Sequence, residues 1–213
     1  MVSVGAAAGE LVGARSLMLT TFDDDEYVIA ALVCGAAIAV AGVLETVAGQ
    51  KFPATELLNG GSVPFGIAFA VGLYLTGYER MGRFGAGAFA VHLLSFGLFS
   101  GVAFTMNFVL VHEDPAVVRL LLEGPARWAF LATAALTWLG TCLFAAALWR
   151  ARTVPPVAVG LYVAGLTVLS LTFLLPAPVV RIGHLAAGLG MIWLAGWLRA
   201  TAGRAVERSP QFS

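Results

Sequence analysis

The chain has 213 residues, of which 60% are hydrophobic and only 11% charged, and its mean hydropathy is +0.91. Soluble domains carry about 25% charged residues, so side chains that face lipid are the simplest account of the deficit. Formal net charge is zero and the 12 basic residues are scattered, which excludes the clustered basic face that nucleic-acid binding needs.

Residues 1–26 read as a cytoplasmic tail or an interfacial segment. They are no signal peptide, because no basic start precedes an apolar run and Glu10 and Arg15 interrupt the apolar stretch. The acidic run Asp23-Asp24-Asp25-Glu26 suits the start of a helix, where negative charge favours the dipole. Six apolar blocks follow, over 27–49, 62–79, 85–112, 126–149, 155–176 and 178–199. Bilayer hydrocarbon is about 30 Å thick and needs about 20 apolar residues per helix, so each block is a candidate span. The fold class expected is all-α: a polytopic membrane bundle of six transmembrane helices occupying 27–200, with a polar cytoplasmic tail over 201–213.

Punctuation supports the block edges. Pro125 suits the start of the fourth span, and Pro155 and Pro156 the start of the fifth, since proline's missing N–H costs nothing in a first turn. Pro176 and Pro178 bracket a tight turn between the last two spans. Between the third and fourth spans, Val117, Val118, Leu120, Leu121 and Leu122 suggest a short helix lying on the interface. Arg15, Arg80, Arg83, Arg150, Arg152, Arg199, Arg204 and Arg208 fall on one side of such a bundle, and Lys51, Arg119, Arg127 and Arg181 on the other. The richer side is expected to be cytoplasmic, which places both termini inside the cell and the protein in the plasma membrane.

Small residues let membrane helices approach closely. They occur as Gly35 and Gly42 in the first span, Gly97-x-x-x-Gly101 in the third and Gly183-x-x-x-Ala187 with Gly188 and Gly190 in the sixth. Packing within one monomer is the ordinary reading, and a homodimer through these faces is the sharper one. Thr133, Thr137 and Thr141 form one stripe in the fourth span, where threonines commonly bond their own helix. Cys34 and Cys142 lack C-x-x-C spacing and read as packing residues.

Ionisable groups inside spans are costly and are functional candidates by default. Here they are Glu45, His92 and His184. At about 1.5 Å per residue, Glu45 lies about 6 Å from the outer end of its span, His184 about 9 Å from the outer end of its own, and His92 about 10 Å from the inner end. Two histidines at such different levels do not suit one haem, and no cofactor is expected. His112, Glu113 and His184 lack diagnostic zinc spacing, so no metal is expected either.

Gly183-His184-Leu185-Ala186-Ala187-Gly188 resembles the last catalytic helix of rhomboid proteases, and His92-Leu93-Leu94 resembles their earlier histidine helix. The resemblance covers only these two pieces. The Gly-x-Ser-Gly nucleophile motif that should lie between them is missing, and Ser100-Gly101 lies too early, so protease activity is rejected. The acidic run matches neither D-D-x-x-D nor D-x-D-D, which leaves magnesium-pyrophosphate chemistry unsupported.

Two function classes stay open. The first is an enzyme on a lipid-soluble, isoprenoid-like substrate, with Glu45 and His184 as catalytic groups. Apolar surroundings disfavour the charged form of a carboxyl, and a neutral acid protonates an alkene or epoxide. Asn107, Arg181, Arg127, Phe104, Phe108 and Trp128 are the expected substrate-binding residues. Aromatic faces stabilise the resulting cation, and Phe89, Phe96, Phe99 and Trp138 are further candidates for that lining. Small membrane-bound terpene cyclases offer an analogy of size and chemistry, with no motif aligned. The alternative is a non-catalytic membrane protein, a transporter subunit or an accessory of a larger complex. Membrane lipid and a hydrophobic small molecule are the partners expected.

Overall fold

A computed structural model describes residues 24–207, and the side chains of residues 25–201. Among the described residues seven α-helices follow in chain order: α1 Asp24–Ala48, α2 Pro53–Leu75, α3 Tyr78–Phe104, α4 Pro115–Glu123, α5 Ala126–Ala151, α6 Pro156–Ser170 and α7 Ala177–Glu207. A π-helical turn, Thr105–Val109, and a 3-10 turn, Leu110–His112, extend α3, and a 3-10 turn, Thr172–Leu174, follows α6. No strand occurs among the described residues. The chain is an all-α membrane bundle.

Among the described residues, five helices are long and apolar enough to cross a bilayer: α1, α2, α3, α5 and α7. The sixth expected span contributes α6, which has only 15 residues. At about 1.5 Å per residue that is roughly 22 Å, short of a hydrocarbon core of about 30 Å. Pro176 accounts for the early stop. It disfavours helical backbone at Leu175 and offers no N–H to Thr172, so the chain tightens into a 3-10 turn instead.

The other edges follow from local chemistry. Phe52 precedes α2 and Pro53 opens it. The Phe52 amide donates to Thr55 Oγ1 (3.1 Å), and that hydroxyl donates to the Phe52 carbonyl (2.9 Å). Thus α2 begins nine residues before the apolar block does. Asp114 caps α4, accepting from the Ala116 amide at 2.7 Å, with Pro115 in the first turn. Gly82 interrupts α3 with φ 57° and ψ −157°, a conformation that an L side chain would strain.

The helices close a ring that follows chain order. α1 packs on α2, α2 on α3, α3 on α5, α5 on α6, α6 on α7, and α7 returns to α1. Close approaches use the small residues. An added Cβ at Gly35 would lie 2.9 Å from the Gly188 carbonyl oxygen, and one at Gly42 would lie 2.8 Å from His184 Cβ. A Cβ at Gly140 would lie 2.9 Å from His92 Cα, which brings α3 and α5 together. Gly97 and Gly101 behave differently: they are exposed, with nothing within 4 Å of an added Cβ. They take no part in packing within this chain.

The ring is filled at mid-height by aromatic and histidine side chains. His92 is fully buried and stacks on Phe144 with centroids 5.0 Å apart and planes 18° apart. Its Nε2 lies 3.0 Å from the Tyr162 hydroxyl of α6, and Tyr162 meets Phe69 edge-on at 5.7 Å. His92 therefore serves the helix–helix contact that a lone intramembrane histidine usually makes.

Candidate functional site

Toward the end that carries the α1–α2 turn, the ring is not filled. A cavity of about 450 Å³ lies there, lined by residues of α1, α2, α3, α5, α6 and α7. Small-molecule sites span roughly 300–1,000 Å³, so the volume suits a ligand. The walls are largely apolar, with Phe96, Phe99, Phe130, Phe173, Ile38 and Val63 among them. Against these stand Lys51, Asn59, Asn107, Arg127, Thr133 and His184. Leu122 of α4 and the Thr172–Leu174 turn contribute to the wall as well.

Three elements aim these groups. In α7, His184 Nδ1 lies 2.8 Å from the Val180 carbonyl oxygen one turn earlier. A carbonyl only accepts, so Nδ1 carries the proton there and Nε2 of the neutral ring is left with its lone pair. Gly42 on α1 makes room for this side chain, because any Cβ would collide with it. Glu45 stands one turn beyond Gly42 and is 3% exposed. Its Oε1 accepts from Asn59 Nδ2 of α2 at 2.9 Å. Glu45 and Lys51 both lie within electrostatic reach of His184.

The π-helical turn after α3 is the third element. Its extra residue redirects the chain so that Phe108 and Asn107 face Gly60 of α2. Asn107 Nδ2 donates to the Ala103 carbonyl (2.8 Å), and Asn107 Oδ1 accepts from Lys51 Nζ (3.4 Å). The amide thus tethers the α1–α2 turn to α3.

The structure separates the residues expected from sequence into four groups. His184, Asn107 and Arg127 share the cavity wall. Glu45 stands behind Asn59, in contact with the wall through that amide and not on it. Arg181 donates through Nη2 to the Gly49 carbonyl at 2.5 Å, so it ties α7 to the α1–α2 turn. Phe104, Phe108 and Trp128 are away from the wall. Phe104 (57% exposed) packs on Phe108 at 5.1 Å, and Trp128 is 72% exposed on the outside of the bundle. Of the other aromatic residues considered, Phe96 and Phe99 line the cavity, whereas Phe89 and Trp138 do not. Phe89 stacks on Tyr74 at 4.2 Å, away from the chamber.

Lys51 is a wall residue to which the sequence assigned no role, and Asn59 is one that it placed among the polar groups of the outer half without naming it a binding residue. A signal existed for Asn59: it lies one helical turn before Ser62 and two before Gly66, a polar-and-small stripe on one face of α2. No group of three or more His, Cys, Asp or Glu able to hold a metal occurs among the described residues, and His112 is exposed. No protein-family model matches the chain, and no curated protein or solved structure matches it.

Proposed function

We propose that this multi-pass membrane protein is an enzyme that moves a proton on a lipid-soluble substrate held in the cavity, as an isomerase or cyclase does. The observation that carries the reading is the placement of His184 on a largely apolar wall, with a buried carboxyl behind it. With Nδ1 committed to Val180, Nε2 of His184 is the group free to take a proton from a substrate or return one. The Glu45 carboxyl stands within electrostatic reach of the ring, and the Lys51 ammonium acts on it with the opposite sign. Asn59 holds the carboxyl in place by donating to Oε1. Glu45 is then a positioning residue, and His184 the catalytic one.

This revises the assignment of roles drawn from sequence. A carboxyl behind the wall does not reach a substrate alkene directly, so acid-triggered cyclisation would begin from doubly protonated His184. Phe96, Phe99 and Phe130 then supply the aromatic faces for a developing cation. The charge asymmetry of the connections supports a cavity end that faces outward from the plasma membrane, with both termini in the cytoplasm.

The test is proton exchange. Purified protein in maltoside micelles would be incubated in D2O with C10–C20 isoprenoid alcohols, epoxides and acids, and products read by mass spectrometry. Incorporation of deuterium at carbon, lost in His184→Gln and reduced in Glu45→Gln, is the expected result. Binding of these molecules with no exchange and no new product would favour the non-catalytic alternative.

A further inference from the structure

The charge of the cavity wall is one-sided. Lys51, in the turn after α1, and Arg127, in the first turn of α5, are its charged residues, both cationic, and no carboxylate shares the wall with them. Among the described residues, the Lys51 ammonium bonds a neutral amide oxygen, Asn107 Oδ1, at 3.4 Å. Arg127 has no side-chain partner among the described residues. The Glu45 carboxyl stands behind Asn59 and not on the wall, although its charge is felt at His184.

Both cations are exposed, so they reach water as well as the chamber that they line. Two cations at one end of an apolar chamber are complementary to one kind of molecule. We infer that the ligand is a single-chain amphiphile with an anionic head, carboxylate or phosphate. The head meets Lys51 and Arg127, and the chain runs along Phe96 and Phe99. This names the substrate class of the proposed enzyme and rests on reading the cavity as its substrate chamber. Basic residues at helix ends also attract bilayer headgroups; here both line the chamber itself, so a head held between them puts its chain among the phenylalanines.

The test uses the full chain in uncharged maltoside micelles, with octyl phosphate, octanoate, octanol and octyltrimethylammonium as probes in a titration. Both anions should bind at least tenfold more tightly than octanol, and the cation more weakly than octanol. Lys51→Gln with Arg127→Gln should reduce the anions to the octanol level, while Lys51→Arg with Arg127→Lys keeps most of the preference. The tighter of phosphate and carboxylate names the head. Displacement of the bound probe by phosphatidylglycerol names a bilayer lipid as its source, and failure to displace it names a free amphiphile. Should the glutamine variants fail to fold, salt answers in the parent protein: raising sodium chloride from low to high concentration weakens the anions and spares octanol. Octanol binding as tightly as the anions, or anions indifferent to both salt and the variants, would overturn the inference. If deuterium exchange on neutral alcohols persisted in that case, proton transfer would stand without the anionic head. Anion binding without exchange on any substrate would leave the ligand class and remove the enzyme.

Discussion

Gly42 couples helix packing to the candidate site, and Gly42→Ala measures that coupling. The new Cβ would lie 2.8 Å from His184 Cβ and 3.2 Å from the Arg181 carbonyl oxygen. Carbon atoms prefer about 3.5–4.0 Å, so α7 must retreat by roughly 0.7–1.2 Å or His184 must turn away. Overpacking of this size costs about 1–3 kcal/mol. Alanine also gains up to about 1 kcal/mol over glycine within a helix, which masks part of the loss. Gly97→Ala supplies the correction, since its added Cβ meets nothing within 4 Å. The stability difference between the two variants, read from helicity as sodium dodecyl sulfate is titrated into mixed micelles, should be about 1–3 kcal/mol against Gly42→Ala. A displacement near 1 Å at a reacting group can cost about a hundredfold in rate, so deuterium exchange should fall far more in Gly42→Ala than in Gly97→Ala. Equal stability of the two variants, together with exchange at the parent rate, would refute the claim that Gly42 seats His184.

Other outcomes follow from single contacts. Asn59→Leu removes the donor to Glu45 and leaves a buried carboxyl unpartnered, a loss of about 1–3 kcal/mol in the same titration, whereas Glu45→Gln keeps an acceptor for Asn59 and should cost less. Tyr162→Phe strips His92 of its Nε2 partner when Nδ1 already lacks one, so it should destabilise by about 1–3 kcal/mol without changing exchange; a fall in exchange at unchanged stability would tie the mid-height pair to the chemistry. Single cysteines at exposed Lys51 and Arg152, in a background with Cys34 and Cys142 replaced by serine or alanine, should differ in whole cells. The first should label with an impermeant maleimide and the second should not; the reverse pattern would invert the orientation read from charge.

Membrane helices were legible in the sequence because the hydrocarbon imposes one requirement on every residue that faces it. That requirement located α1, α5 and the start of α7 within a few residues. It misplaced the start of α2, where Thr55, Glu56, Asn59, Gly60 and Ser62 resemble a polar connection. All five are buried, and they face the interior of the ring. Hydropathy averages over a helix surface, so a helix that turns its polar side toward protein reads as a loop. The length of α6 was hidden for the opposite reason: residues 171–175 are apolar but bent, and hydropathy does not register a bend that Pro176 imposes. Aromatic residues show the same limit. Phe96 and Phe104 look alike in sequence and lie two helical turns apart, yet one is 1% exposed on the cavity side and the other 57% exposed outside.

The location of the polar groups has a physical reason that joins these observations. A ring of helices buries its own centre well when every neighbour contact is close, and here small residues provide that at Gly35–Gly188, Gly140–His92 and Gly165–Ala187. Toward the α1–α2 turn the same closeness is not kept all round. Phe108 fills the space left by Gly60, α6 ends at Ser170, and the π-helical turn redirects α3. The shortened α6 withdraws one wall from the ring at the level where Asn59, Asn107 and His184 gather. Lengthening that wall is therefore a direct probe of the cavity's origin. Pro176→Ala should let helix continue through Leu175, and the extended α6 would intrude on the wall now formed by Thr172, Phe173 and Leu174. The expected result is weaker binding of the octyl probes with retained stability, because the alanine supplies the helical N–H that proline lacks while the chamber narrows. Probe affinity unchanged in a variant with measurably greater helicity would separate the cavity from the early end of α6.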